Sequence, residues 1–594
     1  MNVGTVKNPT SLRPWRSARL GWFVAGLFFA IGVPLFLRMP LWCDATLYQT
    51  AARNVMNGGV HYREIFDTNP PGFVWAICVV ETIFGSSTEA IRFADLIVAS
   101  SALIVLMRFA SMAGAKRADL AWMAAGWASF YPYLAEFCHI QRDVWMMLPA
   151  LLATWIRVRR VGILLNDNGK TWVFGSTVLE GCLWAVACWI KPHVVVPVFF
   201  VWLTTIVFIF RRVSTPVRHV IFDTVGVVFG AMIVFMSGLS WLLRTGTWDA
   251  YMDVNRNWNN GYIAIVFKEL PGRIQFELIY FPPWSLFLLV AIPLSLVNVY
   301  RSLSKNSDWQ TFVRGVLASL FLSWTFMAIV IQRSLDYVHV PEIVLMISVF
   351  AANRWCVSFL VIAIQVGLAL LVVATAIPVM WSGSRIEGRQ IVGPSGQIFN
   401  AHVALKPERT GHWFICWSAP SRETRRDVGF LTGEFGGLDP VELGAVADFL
   451  KSQNVKDREL IAWHDSPHAL YTVLGIEPGI RFMHLSTMQA MGGWSEESSQ
   501  YRRVRQEVAL AIPTAKFVVS DLHRVTDRRG IALHNLGDDG LSRAIPDWQK
   551  RQFPMDLPIL YRSPNGRYLV HQIRHPYVLG DCKIPEAMGD ESEW

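Results

Sequence analysis

Cysteine is sparse in this 594-residue chain, and none of its eight copies stands at a metal-ligand spacing. No metal module can therefore be read from the sequence. Charge is also scarce, at 17% of residues, against about 25% in soluble domains. The net charge of +9 is spread over short loops, with no basic stripe and no nucleic-acid motif. That spread excludes a polyanion-binding surface and leaves nucleic acid out of the expected partners. No internal repeat or low-complexity segment is visible. No small-residue cleavage site follows the first apolar run, Leu20 to Leu37, so this run is expected to remain as a first spanning helix.

Apolar residues are abundant. The chain is 53% hydrophobic with 26 Trp and 36 Phe, which excludes an ordinary soluble protein and suits a bilayer protein with aromatic belts. Runs near spanning length fall at 20–38, 91–113, 118–135, 144–162, 172–190, 194–210, 219–243, 280–299, 315–332, 340–353 and 356–379. Roughly twenty residues cross a bilayer, so 340–353 is short. Lys116/Arg117, Arg157/Arg159/Arg160, Arg211/Arg212, Arg301/Lys305/Arg314 and Arg354 cap one set of helix ends. Acids and histidines collect near the other ends, at Asp44, Glu64, Asp67, Glu136, Asp143, His193, Asp336 and His339. Cytoplasmic loops carry the Lys/Arg excess, so the acids are expected outside. This holds only if Pro71 to Phe84, fourteen residues long, lies at the membrane surface without crossing it.

The expected fold is a polytopic α-helical membrane protein of about eleven spans with a C-terminal soluble α/β domain. Residues 1–19 form a cytoplasmic N-terminus, 20–381 the transmembrane domain and 382–594 an extracytoplasmic domain. The expected location is the inner (cytoplasmic) membrane. In the tail, Val441–Lys451 reads as an amphipathic helix, and Leu460–Trp463 and Phe517–Val519 read as buried strands. Asn565-Gly566 signals a hairpin with a type I′ turn. Trp463-His464-Asp465-Ser466-Pro467-His468 reads as a helix start capped by Asp465 or Ser466. Two cysteine pairs, Cys43/Cys138 and Cys416/Cys582, stand where a disulfide could form outside.

Four outward clusters carry the chemistry. Asp44 and Tyr48 sit one turn apart at the start of an amphipathic stretch, and Asp67 precedes Asn69-Pro70-Pro71. Capping by Asp44 and turn chemistry by Asp67 are the structural alternatives to a site role. Glu136, His139, Gln141, Arg142 and Asp143 crowd a second loop, where Arg142 and Asp143 could simply pair. Lys191-Pro192-His193 forms a third, with Lys191 able to snorkel. Gln332-Arg333, Asp336-Tyr337 and His339 form a fourth. Arg92 and Asp95 stand one turn apart at the start of the second span, and Trp, Asn and Asp between Asp249 and Asn260 suit sugar binding or an interfacial loop.

The run from Asp44 and Tyr48 through Gly58-Gly59, Tyr62-Arg63-Glu64, Phe66-Asp67, Pro70-Pro71 and Arg92 resembles the first outward loop of GT-C glycosyltransferases. The similar branch is the one of protein O-mannosyltransferases and bacterial aminoarabinose transferases. The second and fourth clusters resemble later loops of that family. The resemblance covers about residues 20–355. It implies sugar transfer from a polyprenyl-phosphate donor to a glycan, lipid or protein acceptor at the outer membrane face, usually with inversion. Carried over, Asp44, Glu136 and Asp143 would be catalytic, with Asp44 orienting or deprotonating the acceptor hydroxyl. Asp67, Arg92, Lys191, Arg333, Tyr337 and His339 would bind the donor phosphate or substrate. Related chains often carry a basic residue where this one has Asn69. Outward acids could hold Mg²⁺ or Mn²⁺ loosely. The rival readings are a transporter or flippase of a lipid-linked or anionic solute and a catalytically degenerate envelope scaffold.

Overall fold

The computed structural model describes residues 17–594 except 167–173, 214, 260–269, 271–280, 334, 368–411, 433–435, 486–487, 489–494, 523–550 and 581–594. The 381/382 boundary, Asn260 and Cys582 lie outside the described residues.

Each apolar run of the sequence carries a helix. In chain order these are α1 (Ala18–Arg38), α2 (Cys43–Met56) and α3 (Gly72–Phe84), then α4 (Thr88–Met112), α5 (Arg117–Phe130) and α6 (Arg142–Asn166). They continue as α7 (Phe174–Ile190), α8 (Val195–Arg212), α9 (Pro216–Arg244), α10 (Trp248–Asn257), α11 (Leu288–Ser302), α12 (Trp309–Phe326), α13 (Asp336–Ala352) and α14 (Val357–Gly367). Six helices among the described residues are long and apolar enough to cross a membrane. A backbone in hydrocarbon must satisfy its polar groups internally, which is why long apolar runs become helices whatever their side chains.

Helix α3 has 13 residues, about 20 Å at the usual rise, well short of the roughly 30 Å hydrocarbon core. Its two ends stay at one end of the bundle. A Cβ on Gly72, at its start, would stand 2.4 Å from the Trp189 carbonyl carbon at the end of α7. Phe84, at its finish, meets Phe93 in the second turn of α4, ring centres 5.7 Å apart. Helices α7 and α9 cross closely because Gly181 and Gly230 lie at the contact. A Cβ on Gly181 would fall 2.0 Å from the Val227 carbonyl oxygen, and one on Gly230 1.9 Å from that of Val178.

The basic ends need one correction. Arg157 and Arg160 are not loop charges; they are buried and held by acids on two other helices. Arg157 Nε donates to Glu180 Oε1 at 2.5 Å, and its Nη2 stands 3.0 Å from Asp223 Oδ2. Arg160 Nη2 donates to Glu180 Oε2 at 2.6 Å and also reaches Asp223 Oδ1. Two cations and two anions thus neutralise each other between α6, α7 and α9.

The tail forms a four-stranded mixed sheet, ordered β1-β2-β4-β3, from β1 (Leu460–Ala462), β2 (Phe517–Asp521), β3 (Ile559–Arg562) and β4 (Tyr568–Gln572). β1 and β2 are parallel, and the other pairs antiparallel. α15 (Pro440–Ser452) covers it, started by Asp439, whose carboxylate accepts from the amides of Val441 and Glu442. The hairpin forms, but the turn is not type I′. Gly566 N donates to Ser563 O at 2.8 Å, and only Gly566 of the four turn residues has positive φ, +77°. Pro564 fixes its own φ near −65° and moves the turn one residue earlier. The helix after Trp463 is likewise not capped by Asp465 or Ser466. It starts at Ala469 with no side-chain cap, and Ser466 Oγ instead donates to the Asp521 carboxylate. The tail also grips the first loop: Phe66 N donates to Arg481 O at 2.9 Å, and Thr50 and Thr472 hydroxyls stand 3.0 Å apart.

Replacing Glu180 with Ala strands two buried guanidiniums on one carboxylate. The expected loss is about 3–5 kcal/mol of stability, read as a lower melting temperature in detergent; an unchanged melt would contradict the structural role of the quartet.

Candidate functional site

A cavity of about 940 Å³ opens where α2, the loop before α3, the start of α6, the α7–α8 junction and the tail meet. One wall is apolar, from Trp184, Val198, Val227, Ala231 and Phe235 on α7, α8 and α9. The other is polar, from Asp44, Asp67, Asn69, Arg142, Lys191 and Tyr337, roofed by His484 and Met488 of the tail.

Asp44 lies in the first turn of α2, whose N-cap is Trp42 without a side-chain cap bond. The capping alternative is therefore removed. Its Oδ2 accepts from Gln141 Nε2 at 3.1 Å. Asp67 lies in the loop before α3. Its Oδ1 accepts from the Asn69 backbone amide at 3.0 Å and from Asn69 Nδ2 at 2.7 Å, which shapes the turn before Pro70-Pro71, and it lines the cavity. Burial pushes its carboxyl up to about 6, with Arg142 and the Asn69 bonds pulling it down. His61 Nε2, 3.9 Å from Asp67 Oδ2, is pushed down to about 3 by burial and is a neutral neighbour.

Arg142 and Asp143 do not pair with each other, contrary to the surface-pair alternative. Arg142 Nη1 donates to Asn69 Oδ1, and its guanidinium stands 6.0 Å from the Tyr48 ring centre. A cation thus comes from α6 to Asn69, beside the Pro70-Pro71 turn. Asp143 sits behind the lining, its oxygens 2.8 and 2.7 Å from Lys191 Nζ. Lys191 also donates to Gln332 Oε1, so it is a fixed group and does not snorkel. Burial pushes its ammonium down to about 8, against the opposing pull of Asp143.

Besides Asp143, four of the named residues do not line the cavity. The Glu136 carboxylate accepts from the backbone amides of Phe430 at 2.5 Å and Leu431 at 3.2 Å, anchoring the tail. Arg92 is buried and donates from Nε to Met39 O at 2.7 Å and from Nη2 to Pro40 O, shaping the turn after α1. Arg92 does not pair with Asp95, whose oxygens accept from Tyr131 and Trp145 at 2.7 Å each. His339 Nδ1 lies 3.0 Å from Glu342 Oε2 within α13, and Arg333 is buried outside the lining. Cys43 and Cys138 carry thiols, not a shared disulfide. Asp253 pairs with Arg503 of the tail at 2.9 Å. Arg142 was visible in its cluster, with a surface pair to Asp143 as the alternative to a site role, and was not among the residues named for the site. Nothing local marks His484, which reaches the cavity through the fold of the tail alone.

No family model and no curated protein sequence matches the chain. Among solved structures, it is similar to ArnT from Cupriavidus metallidurans bound to undecaprenyl phosphate, at 16% identity and TM-score 0.47, over 95% of this chain and 98% of that one. It is also similar to the archaeal oligosaccharyltransferase AglB from Archaeoglobus fulgidus, in complex with an inhibitory peptide and a dolichol-phosphate, at 13% identity and TM-score 0.40. That alignment covers 94% of this chain and 75% of the other. Both are GT-C glycosyltransferases.

Asp67 supplies a pH signature. Its raised pKa means the folded chain binds a proton that the unfolded chain releases between about pH 4 and 6, so folding stability falls as pH rises through that window. The size is on the order of 3 kcal/mol. Asp67→Asn should flatten the profile there; a variant as pH-dependent as the parent would refute the assignment.

Proposed function

We propose that this chain is a membrane glycosyltransferase that moves a sugar from a polyprenyl-phosphate-linked donor to an acceptor at the extracytoplasmic face. One observation carries the reading: a single cavity joins an apolar wall of spanning helices to a polar wall with two fixed cations, Arg142 and Lys191, and a carboxylate, Asp44. A lipid-linked sugar phosphate has the matching two parts. Its prenyl chain would lie against α7, α8 and α9. Its phosphate would meet Arg142, which offers a forked donor, and Lys191, which offers a point charge.

The acceptor hydroxyl would approach on the Asp44 side. That carboxylate would orient it, take up its proton as the new glycosidic bond forms and stabilise the charge that develops. The bond from the anomeric carbon to the donor phosphate breaks on the opposite face, which gives inversion, and the cations stabilise the leaving phosphate. Asp143 holds Lys191 in place. The tail, as an extracytoplasmic domain, would close the cavity with His484 and Met488 and present the acceptor. Asp67 and Tyr337 would complete the polar wall.

The quartet of Arg157, Arg160, Glu180 and Asp223 is the observation that favours a transporter, since buried charge inside spans often marks an ion path. It shares no residue with the cavity lining, and its charges cancel. Transfer is the better reading.

The test is a transfer assay in membranes with polyprenyl-phosphate-linked sugars. Wild type should transfer, and Asp44→Asn should lose about 10²-fold or more. Rate should fall as pH rises through about 8, where Lys191 loses its proton, and Lys191→Arg should remove that limb. Unchanged transfer by Asp44→Asn would take Asp44 out of the mechanism; no transfer by wild type with any donor would favour the scaffold.

A further inference from the structure

Cys43, Asp44 and His484 bring one thiol, one carboxylate and one imidazole together at the cavity roof. Their ligand atoms all lie within 4.8 Å of one another, and they form the one such group among the described residues. We propose that Cys43 Sγ, Asp44 Oδ1 and His484 Nε2 form a three-ligand site for zinc or a similar borderline divalent cation, clipping the first turn of α2 to the tail.

The distances fit a cation better than hydrogen bonds. Asp44 Oδ1 is 4.0 Å from Cys43 Sγ and 3.8 Å from His484 Nε2. Ligands about 2.0–2.3 Å from a tetrahedral zinc stand roughly 3.3–3.6 Å apart; the third pair, Cys43 Sγ and His484 Nε2, lies within 4.8 Å, so side-chain shifts of about an ångström or less close the set. Nitrogen and oxygen at 3.8 Å are too far apart to share a proton well.

A second observation points to a ligand. His484 Nε2 is enclosed by protein and has no hydrogen-bond partner, although it faces Asp44. A buried polar nitrogen left in that state is destabilising, and a cation supplies the missing partner. His468, fully buried with neither ring nitrogen hydrogen-bonded, packs edge-to-face on the His484 ring at 4.9 Å and fixes its plane. The other carboxylate oxygen of Asp44 is already engaged by Gln141, which leaves Oδ1 turned towards the gap. Such an outer partner is what a ligating carboxylate has in metal sites.

The donor set decides the metal. Thiolate and imidazole favour zinc-like ions, whereas Mg²⁺ and Mn²⁺ prefer all-oxygen shells. This set asks for a softer ion than the loose Mg²⁺ or Mn²⁺ suggested by the outward acids. Three protein ligands leave a fourth position. Asp44 and His484 both line the cavity, so that position borders it and would take water or an anionic oxygen.

The site does not depend on the glycosyl-transfer reading, because its test contains neither donor nor acceptor. Full-length protein in detergent is stripped with chelator and titrated with Co²⁺, then Zn²⁺. Wild type should bind one equivalent, show a thiolate-to-cobalt charge-transfer band that zinc abolishes, and melt at higher temperature with zinc. Cys43→Ser should lose the band, His484→Gln should bind at least tenfold more weakly, and Gln141→Ala about 10–100-fold more weakly. Apo melting temperatures show which variants fold. Wild type without the band, or without the zinc-dependent rise in melting temperature, overturns the proposal however the variants behave. Folded Cys43→Ser and His484→Gln that bind like wild type overturn it too.

Discussion

Arg142 and Asp143 are neighbours in sequence that turn away from each other in space. Arg142 reaches across to Asn69 in the first loop, while Asp143 grips Lys191 at the α7–α8 junction. At the start of one helix, these two bonds draw together segments more than seventy and nearly fifty residues away. A charge this deeply enclosed is tolerated only with a partner. The pair therefore fixes where the loop before α3 and the α7–α8 junction must sit, and the cavity is the space they enclose. Gln332 closes the same knot from the α12–α13 connection.

The bilayer imposes the second constraint. At 13 residues α3 is short for a span, and its two ends lie among helix ends, against Trp189 and Phe93. Lying there, it packs Phe73 edge-to-face on Tyr48 at 4.7 Å, and the loop just before it brings Asp67 and Asn69 to the cavity. The buried quartet of α6, α7 and α9 is the counterpart within the bundle. It lets arginines sit between helices by giving each of them two acids, and it ties α7 and α9, two of the three helices of the apolar wall, to α6.

The helices were legible because length and apolarity dictate them. A run of apolar residues has one way to satisfy its backbone in hydrocarbon, and every run read in the sequence carries a helix among the described residues. α15, the strands at Leu460 and Phe517 and the Asn-Gly hairpin were legible for a similar reason, since periodicity and turn chemistry act locally. Partner choice was not legible. Arg157 and Arg160 looked like loop charges because Glu180 and Asp223 sit on other helices. Glu136 looked catalytic because nothing local shows that two backbone amides of the tail use both its oxygens. Arg92 has the same history, with the carbonyls of Met39 and Pro40. That Asp44, Asp67 and Lys191 would come together was legible because each stands in a short polar stretch at the end of an apolar run, and all three line the cavity. His484 was missed because only the tail's tertiary fold delivers it.

The central claim is that α3 does not cross the membrane, so Asp44, Asp67, Arg142 and Lys191 face one compartment. The most direct measurement places single cysteines at Val60 and Gly85, on either side of α3, in a cysteine-depleted chain, and labels intact cells with a membrane-impermeant maleimide. Both positions should label from outside to a similar extent. Labelling of Val60 with protection of Gly85 until the cells are opened would put the two ends on opposite faces, and the shared cavity could not stand.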